Sequence, residues 1–190
     1  MSYKIINTTL IFSYNFNKIL DEEIIQIMNL CDTIYFSNYI TGIKCIKTQN
    51  FYNADYDKYW MDSIFNKSVN NLSNSIKYIT FGYCFNQPIN NLPSSIIYLS
   101  LCGNFNKNVD NLPSSIIYLI LGCNFNQCID NLPNSVIYLK IGNKFNQNIN
   151  NLPYLLKEIK ISKYNNNYLK IKKKINTQYP KCELNLLDLE

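Results

Sequence analysis

The chain has 190 residues, with 18 basic and 13 acidic side chains, a formal charge of +5 and no histidine. Every basic residue is lysine, and the missing imidazole excludes a Ser-His-Asp triad, a Cys-His pair and any histidine metal ligand. No run is apolar and long enough to span a bilayer as a helix, and the length suits one domain or one capped repeat array.

The polar surface is built from asparagine, which fills 32 positions. Heavy use of Asn, Ile, Lys and Tyr without Arg fits an AT-rich coding bias, so position within a pattern says more than abundance. The seven cysteines have no spacing that suggests a disulfide framework. Asn7, Thr8 and Thr9 interrupt the apolar N-terminus, which argues against a secretory signal. Sequons at Asn66 and Asn71 fall on positions expected to be structural, where a glycan would block folding. The expected location is the cytoplasm, with reduced thiols.

Residues 1–62 are predicted to form an N-terminal cap. Leu10-Ile11-Phe12 followed by Phe16-Asn17-Lys18 has a spacing met again at Leu99 and Phe105-Asn106-Lys107, and predicts a degenerate first rung. Asp21-Glu22-Glu23 opens a short amphipathic helix, with acids at its positive end and Leu20, Ile24 and Met28 on one face. Ile34 and Phe36 mark a second rung strand and residues 43–47 a third, while residues 51–61 are aromatic and irregular.

Residues 63–162 repeat a word of twenty residues without insertion or deletion. Phe-Asn recurs from Phe65-Asn66 to Phe145-Asn146, Asn-Leu from Asn71-Leu72 to Asn151-Leu152, and tyrosine at Tyr78, Tyr98, Tyr118 and Tyr138. A fixed period in the twenties predicts a stacked solenoid, because one such unit cannot bury its own apolar face. Within one repeat, Leu92-Pro93-Ser94-Ser95 reads as a turn. Ile97 to Leu101 alternates as a half-buried strand, with Leu99 and Leu101 inward and Tyr98 and Ser100 outward. Gly82, Gly122 and Gly142 end their strands, and Gly103 does so one position later; all four are expected to permit a positive φ. Phe105 turns inward at the next corner. Stacked copies of the two asparagine columns are expected to form side-chain ladders.

Residues 163–190 are predicted to form a basic C-terminal cap, with a short helix from Tyr168 to Ile175 and a last strand through Cys182, Leu184 and Leu186. From 157 to 174 there are seven lysines and one acid, Glu158, so this segment holds most of the net charge.

The motif Phe85-Asn86-Gln87-Pro88-Ile89, followed by Leu92-Pro93-Ser94-Ser95-Ile96, resembles the FNIP repeat family, which is similar to leucine-rich repeats. Weaker copies run from Phe65 to Ile161. The proline of that motif survives only at Pro88, and the repeat is compact for the family, but the apolar ladder is intact. The resemblance implies a leucine-rich-repeat-like solenoid, mainly β or α/β, with a parallel sheet on the concave face and irregular turns on the convex face. It implies a protein-interaction role without enzymatic activity or cofactor, in proteins known mainly from social amoebae and the giant viruses that infect amoebae. The partner would then be an unknown protein, in the viral case one of an amoebal host. Viral members with an F-box ahead of the repeats would be ubiquitin-ligase adaptors; here Asp21–Leu30 is one short helix and no proline precedes Pro88, so the usual box is missing and a divergent F-box-type adaptor is the third and least favoured reading.

The candidate partner-binding residues are Tyr78, Tyr98, Tyr118 and Tyr138, with Thr80, Ser100, Ile120 and Lys140 beside them on the outer face of the sheet. Tyrosine offers apolar area, a hydroxyl and little entropy to lose at an interface; the alternative is that the rings only stack to protect the sheet. A second reading uses Lys170, Lys172, Lys173 and Lys174 to bind nucleic acid or an anionic membrane, against which stand the absence of arginine and the weak basicity of the tyrosine face. Cys84, Cys102 and Cys123 fall near one phase of successive repeats, with Cys128 one corner further, but they match no zinc-ribbon spacing and are read as small semi-buried residues. Asp110 and Asp130 occupy a position where Asn70, Asn90 and Asn150 serve equally, so they are loop residues and not a catalytic pair. No catalytic or metal-binding residue is assigned.

Overall fold

A repeat of this kind has six inward side chains and no second layer to cover them, so each rung must use its neighbours as its core. The computed structural model describes residues 3–13, 16–36 and 63–187. Among the described residues, nine strands form one sheet in strict chain order. They are β1 (Tyr3–Ile6), β2 (Thr9–Phe12), β3 (Thr33–Phe36), β4 (Tyr78–Phe81), β5 (Tyr98–Leu101), β6 (Tyr118–Leu121), β7 (Tyr138–Ile141), β8 (Glu158–Ser162) and β9 (Glu183–Leu187). From β2 to β9 every pairing is parallel, and β4 to β7 are in register at the twenty-residue step. This is a mainly β, parallel-strand solenoid of leucine-rich-repeat type.

Alternation along each strand sends Ile79, Leu99, Leu119, Leu139 and Ile159 into the core, followed by Phe81, Leu101, Leu121, Ile141 and Ile161, all buried. The corner phenylalanines Phe65, Phe85, Phe105, Phe125 and Phe145 have no exposed surface and stack nearly parallel, with centroids 6.0, 6.2, 6.2 and 6.3 Å apart. Val69, Ile89, Val109, Ile129 and Ile149 close the far side. A second aromatic column was not read from the sequence. Phe12, Phe36 and Phe81 end β2, β3 and β4, and Phe36 lies 4.8 Å from Phe12, 3.9 Å from Phe65 and 5.3 Å from Phe81.

Polar side chains stitch the rungs on the loop side. The backbone N–H of Asn66 donates to Asn17 Oδ1, that of Asn86 to Asn66 Oδ1, and the chain of bonds continues through Asn106, Asn126 and Asn146 at 2.8–3.0 Å. Each amide oxygen thus satisfies a backbone donor that the corner would leave without a partner. Serines do the same for carbonyls: Ser95, Ser115 and Ser135 Oγ donate to Ile76, Ile96 and Ile116 O of the preceding rung, each at 2.7 Å. The second asparagine column behaves differently. Asn71, Asn91, Asn111, Asn131 and Asn151 are exposed, because this corner is a turn that points away from the stack.

The ends depart from the repeat as capping units do. β1 folds back antiparallel onto β2 through Asn7, whose φ of 55° a short polar side chain tolerates. Helix α1 (Glu22–Met28) is capped by Asp21, whose Oδ1 accepts from Ile24 N at 3.1 Å, and it buries Ile24 and Met28. Its last turn is tied to the repeats where Ser75 Oγ donates to Met28 O. The strand expected at 43–47 and the aromatic stretch at 51–61 lie outside the described residues; in the sheet β3 pairs directly with β4. At the other end helix α2 (Tyr168–Gln178) buries Ile171 and Ile175, and β9 sets Leu184 and Leu186 beside Ile159 and Ile161. Asn165 takes the place that phenylalanine holds one rung earlier. Its buried amide donates to Gly142 O and Phe145 O, both at 3.0 Å, and so ends the aromatic stack with a polar plug.

The glycines are a correction. Among the described glycines only Gly103 has a positive φ, of 58°. Gly82, Gly122 and Gly142 are instead places of close approach. A Cβ on Gly142 would lie 2.5 Å from Gly122 O and 2.6 Å from Cys123 Cα.

Candidate functional site

Parallel pairing in register brings the four tyrosines of the sheet's outer face into one row. Tyr78 is paired with Tyr98, Tyr98 with Tyr118 and Tyr118 with Tyr138. The adjoining row runs Thr80, Ser100, Ile120, Lys140, Lys160. Tyr118 and Tyr138 are stacked at 4.8 Å and 9°, whereas Tyr98 and Tyr118 are tilted at 6.4 Å and 40°. The stripe then gives way to charge: Glu158 follows Tyr138, sits 3.6 Å from the Lys160 ammonium and accepts from Asn185 Nδ2 at 2.7 Å.

The eight residues are together, but they are not equally accessible. Tyr98 is 9% exposed, and Thr80 and Ser100 are 3% exposed each, so the sequence-based view of them as solvent-facing is corrected. Tyr78, Tyr118, Tyr138, Ile120 and Lys140 are half-buried. Over β3, β4 and β5 the short outward side chains Thr33, Thr80 and Ser100 are all buried within the chain itself. Ile120 and Lys140 are longer, and from β6 onward the face is half open.

The lysine segment is carried mostly by α2. Lys170, Lys172 and Lys173 are exposed and Lys174 is half-buried. Lys170 donates to Asn148 Oδ1 at 2.9 Å, and the Lys172 ammonium lies 5.7 Å from the centre of the Tyr168 ring. Lys170 thus ties the cap to the last repeat, whereas Lys172 packs within α2 itself.

The cysteines do not converge. Among the described residues no three His, Cys, Asp or Glu side chains are placed to hold one metal ion. Cys102 is buried with its Sγ 3.2 Å from Ser100 Oγ, Cys84 and Cys123 are half-buried, and Cys128 is exposed. Burial, with Glu158 nearby, pushes the Cys182 thiol up to about 11, and burial with Asp32 nearby raises Cys31, so both stay protonated at neutral pH. Partial burial pushes the Asp130 carboxyl up, but hydrogen bonds from the Asn151 and Asn150 amides outweigh it and hold the group below its ordinary range. That carboxylate accepts from Asn150 N, Asn150 Nδ2 and Asn151 N at 2.7–3.1 Å, which is a turn-stabilising role.

The sequence reading missed a second surface. Along the edge beyond the C-terminal ends of the strands, the side chains flanking the corner phenylalanines line a trough of about 1050 Å³, among them Asn86, Asn106, Asn126, Asn143 and Tyr164. A signal was present in the Asn-Phe-Asn triplets at 104–106 and 124–126, of which the sequence reading used only the Phe-Asn pairs, as a structural ladder.

Residues 65–104 and 104–144 match the family model of the FNIP Repeat. The chain is also similar in structure to CroV588, a giant-virus protein whose crystal structure is described as a novel circular LRR protein structure. The two share 28% sequence identity with a TM-score of 0.52, over 87% of this chain and 29% of that one. The chain therefore spans less than a third of that protein's length. Among curated proteins none matches it. No described helix is long and apolar enough to cross a membrane.

Proposed function

We propose that this chain, which carries FNIP repeats in a leucine-rich-repeat-like solenoid, is a non-enzymatic module that binds a protein partner through the open half of the sheet's outer face. The surface centres on Tyr118, Ile120, Tyr138 and Lys140, with Tyr78 and Tyr98 continuing the stripe toward the covered end. The observation that carries the reading is the stacked Tyr118–Tyr138 pair, half-buried on adjacent strands of a rigid sheet and bordered by Lys140 and Glu158. Two rings held in place lose little entropy when a partner covers them, and their hydroxyls and the flanking charges supply orientation. Buried Thr80 and Ser100 act as floor, not contact. The resemblance to repeats of social amoebae and giant viruses suggests a cytoplasmic partner in an amoeba.

Affinity capture from amoeba lysate tests this by comparing the wild type with a Tyr118→Ser/Tyr138→Ser variant of unchanged melting temperature. A protein retained by the wild type and lost by the variant is the expected result, and retention should survive moderate salt. Capture of the same set by both would make the tyrosines structural. Capture of nucleic acid alone, released by salt and lost on neutralising Lys170, Lys172, Lys173 and Lys174, would move the function to α2.

A further inference from the structure

The exposed apolar surface of this chain is concentrated at the two ends of the stack. Among the described residues no large apolar side chain between 65 and 153 is exposed. At the β1 end Ile5 is exposed, with Ile19 and Leu30 flanking α1; at the β9 end Leu186 is exposed, with Leu169 on α2. The core columns themselves run out here. Tyr3 and Ile5 lie in the rows of Phe12 and Leu10, and Leu184 and Leu186 in those of Ile159 and Ile161. Those four partners have no exposed surface, whereas Ile5 is 45% and Leu186 49% exposed, each in a column that one more rung would bury. Among the described residues β1 and β9 also pair along one edge only, so their outer edges offer backbone N–H and C=O groups to a further strand. The two ends differ in sign. Residues 19–36, around α1 in the first rung, hold four acids and no lysine, and Asp21, Glu22 and Glu23 are exposed. Residues 157–174, which lead into α2 in the last rung, hold seven lysines and one acid, and Lys170, Lys172 and Lys173 are exposed.

We infer that a second copy of this chain docks end to end, with its β9 against the outer edge of β1. β1 runs opposite to the other strands, so a copy stacked with the same rung direction meets it antiparallel. Setting Ile5 opposite Leu184 of the neighbouring copy then sets Tyr3 opposite Leu186, and both core columns run on from one copy into the next. Charge selects this pairing over the two self-pairings. β9 against β9 would bring two lysine-bearing α2 helices together, and β1 against β1 two acidic α1 segments, whereas β9 against β1 sets lysines near acids. The contact uses different patches on the two copies, so it does not close on a pair and builds a ring or a filament.

Sedimentation velocity over a concentration series of the whole 22.3 kDa chain tests the contact. The wild type should gain mass beyond the dimer as concentration rises from about 1 μM to about 1 mM. Ile5→Lys and Leu186→Lys each place a charge on one open edge, where lysine blocks strand pairing, and both should keep the wild-type melting temperature. Each variant alone should stay monomeric where the wild type assembles. Their equimolar mixture should form dimers and nothing larger, because each retains one intact end. Lys172→Glu/Lys173→Glu, which leaves both edge strands untouched, should weaken assembly about tenfold. A wild type that stays monomeric, an edge variant that still dimerises alone, a mixture that stays monomeric, or assembly indifferent to the charge reversal on α2 would each overturn the assignment.

Discussion

Replacing Phe105 with alanine should destabilise the protein by about 3–5 kcal/mol, the usual cost of truncating a buried phenylalanine. The ring has no exposed surface and lies 6.2 Å from both Phe85 and Phe125, with interplanar angles of 5° and 3°. In a stack where each rung touches only its two neighbours, the loss weakens two interfaces at once. The site also collapses poorly. The rungs above and below are held apart by strand pairing and by the bonds from Asn106 N to Asn86 Oδ1 and from Asn126 N to Asn106 Oδ1. Against a total stability of about 5–15 kcal/mol for a domain, the change is a large fraction and is readable in a urea transition. Tyr138→Ser, on the half-buried outer face, should cost far less. Equal losses from the two substitutions would contradict the assignment of inner and outer faces.

Gly142→Ala should rank next, at about 1–3 kcal/mol or more, although alanine is normally the milder residue. The added methyl would meet Gly122 O at 2.5 Å and Cys123 Cα at 2.6 Å. Both are backbone atoms of the adjacent rung, which no rotamer change can move. That rung is fixed by the bond from Gly142 N to Leu121 O at 3.0 Å, so relief requires the strand ends to separate. A urea midpoint unchanged from the wild type would show that the strand ends are not packed this closely.

These two positions illustrate what could be read in advance. The period, the inward columns and the phenylalanine stack were legible, because a twenty-residue step with fixed apolar phase admits few other architectures. The glycine positions were legible too, but not their cause: a residue lacking Cβ looks the same in sequence whether it serves backbone angle or backbone proximity. Between the two asparagine columns, the sequence could not say which one faces the neighbouring rung, since both recur with the same period. The serine-to-carbonyl bonds and the Asn165 plug depend on where a side chain points after stacking, which no local pattern encodes. The candidate face was legible as a row, from alternation alone. Its uneven burial was not, because coverage of Thr80 and Ser100 depends on long-range packing.

The central claim is that the rungs are locked together by side chains outside the sheet, which gives both candidate surfaces a rigid frame. Hydrogen exchange of the backbone amides of Asn86, Asn106, Asn126 and Asn146 tests it most directly. These groups lie outside the strands, and Asn106 and Asn146 are exposed residues, yet each N–H is bonded to the preceding rung's Asn Oδ1 at 2.8–2.9 Å. The account predicts protection comparable to that of the strand amides in β5 and β6, with Asn106→Ala selectively exposing the Asn126 amide. Exchange as fast as at the neighbouring loop positions Lys107 and Asn108 would contradict it.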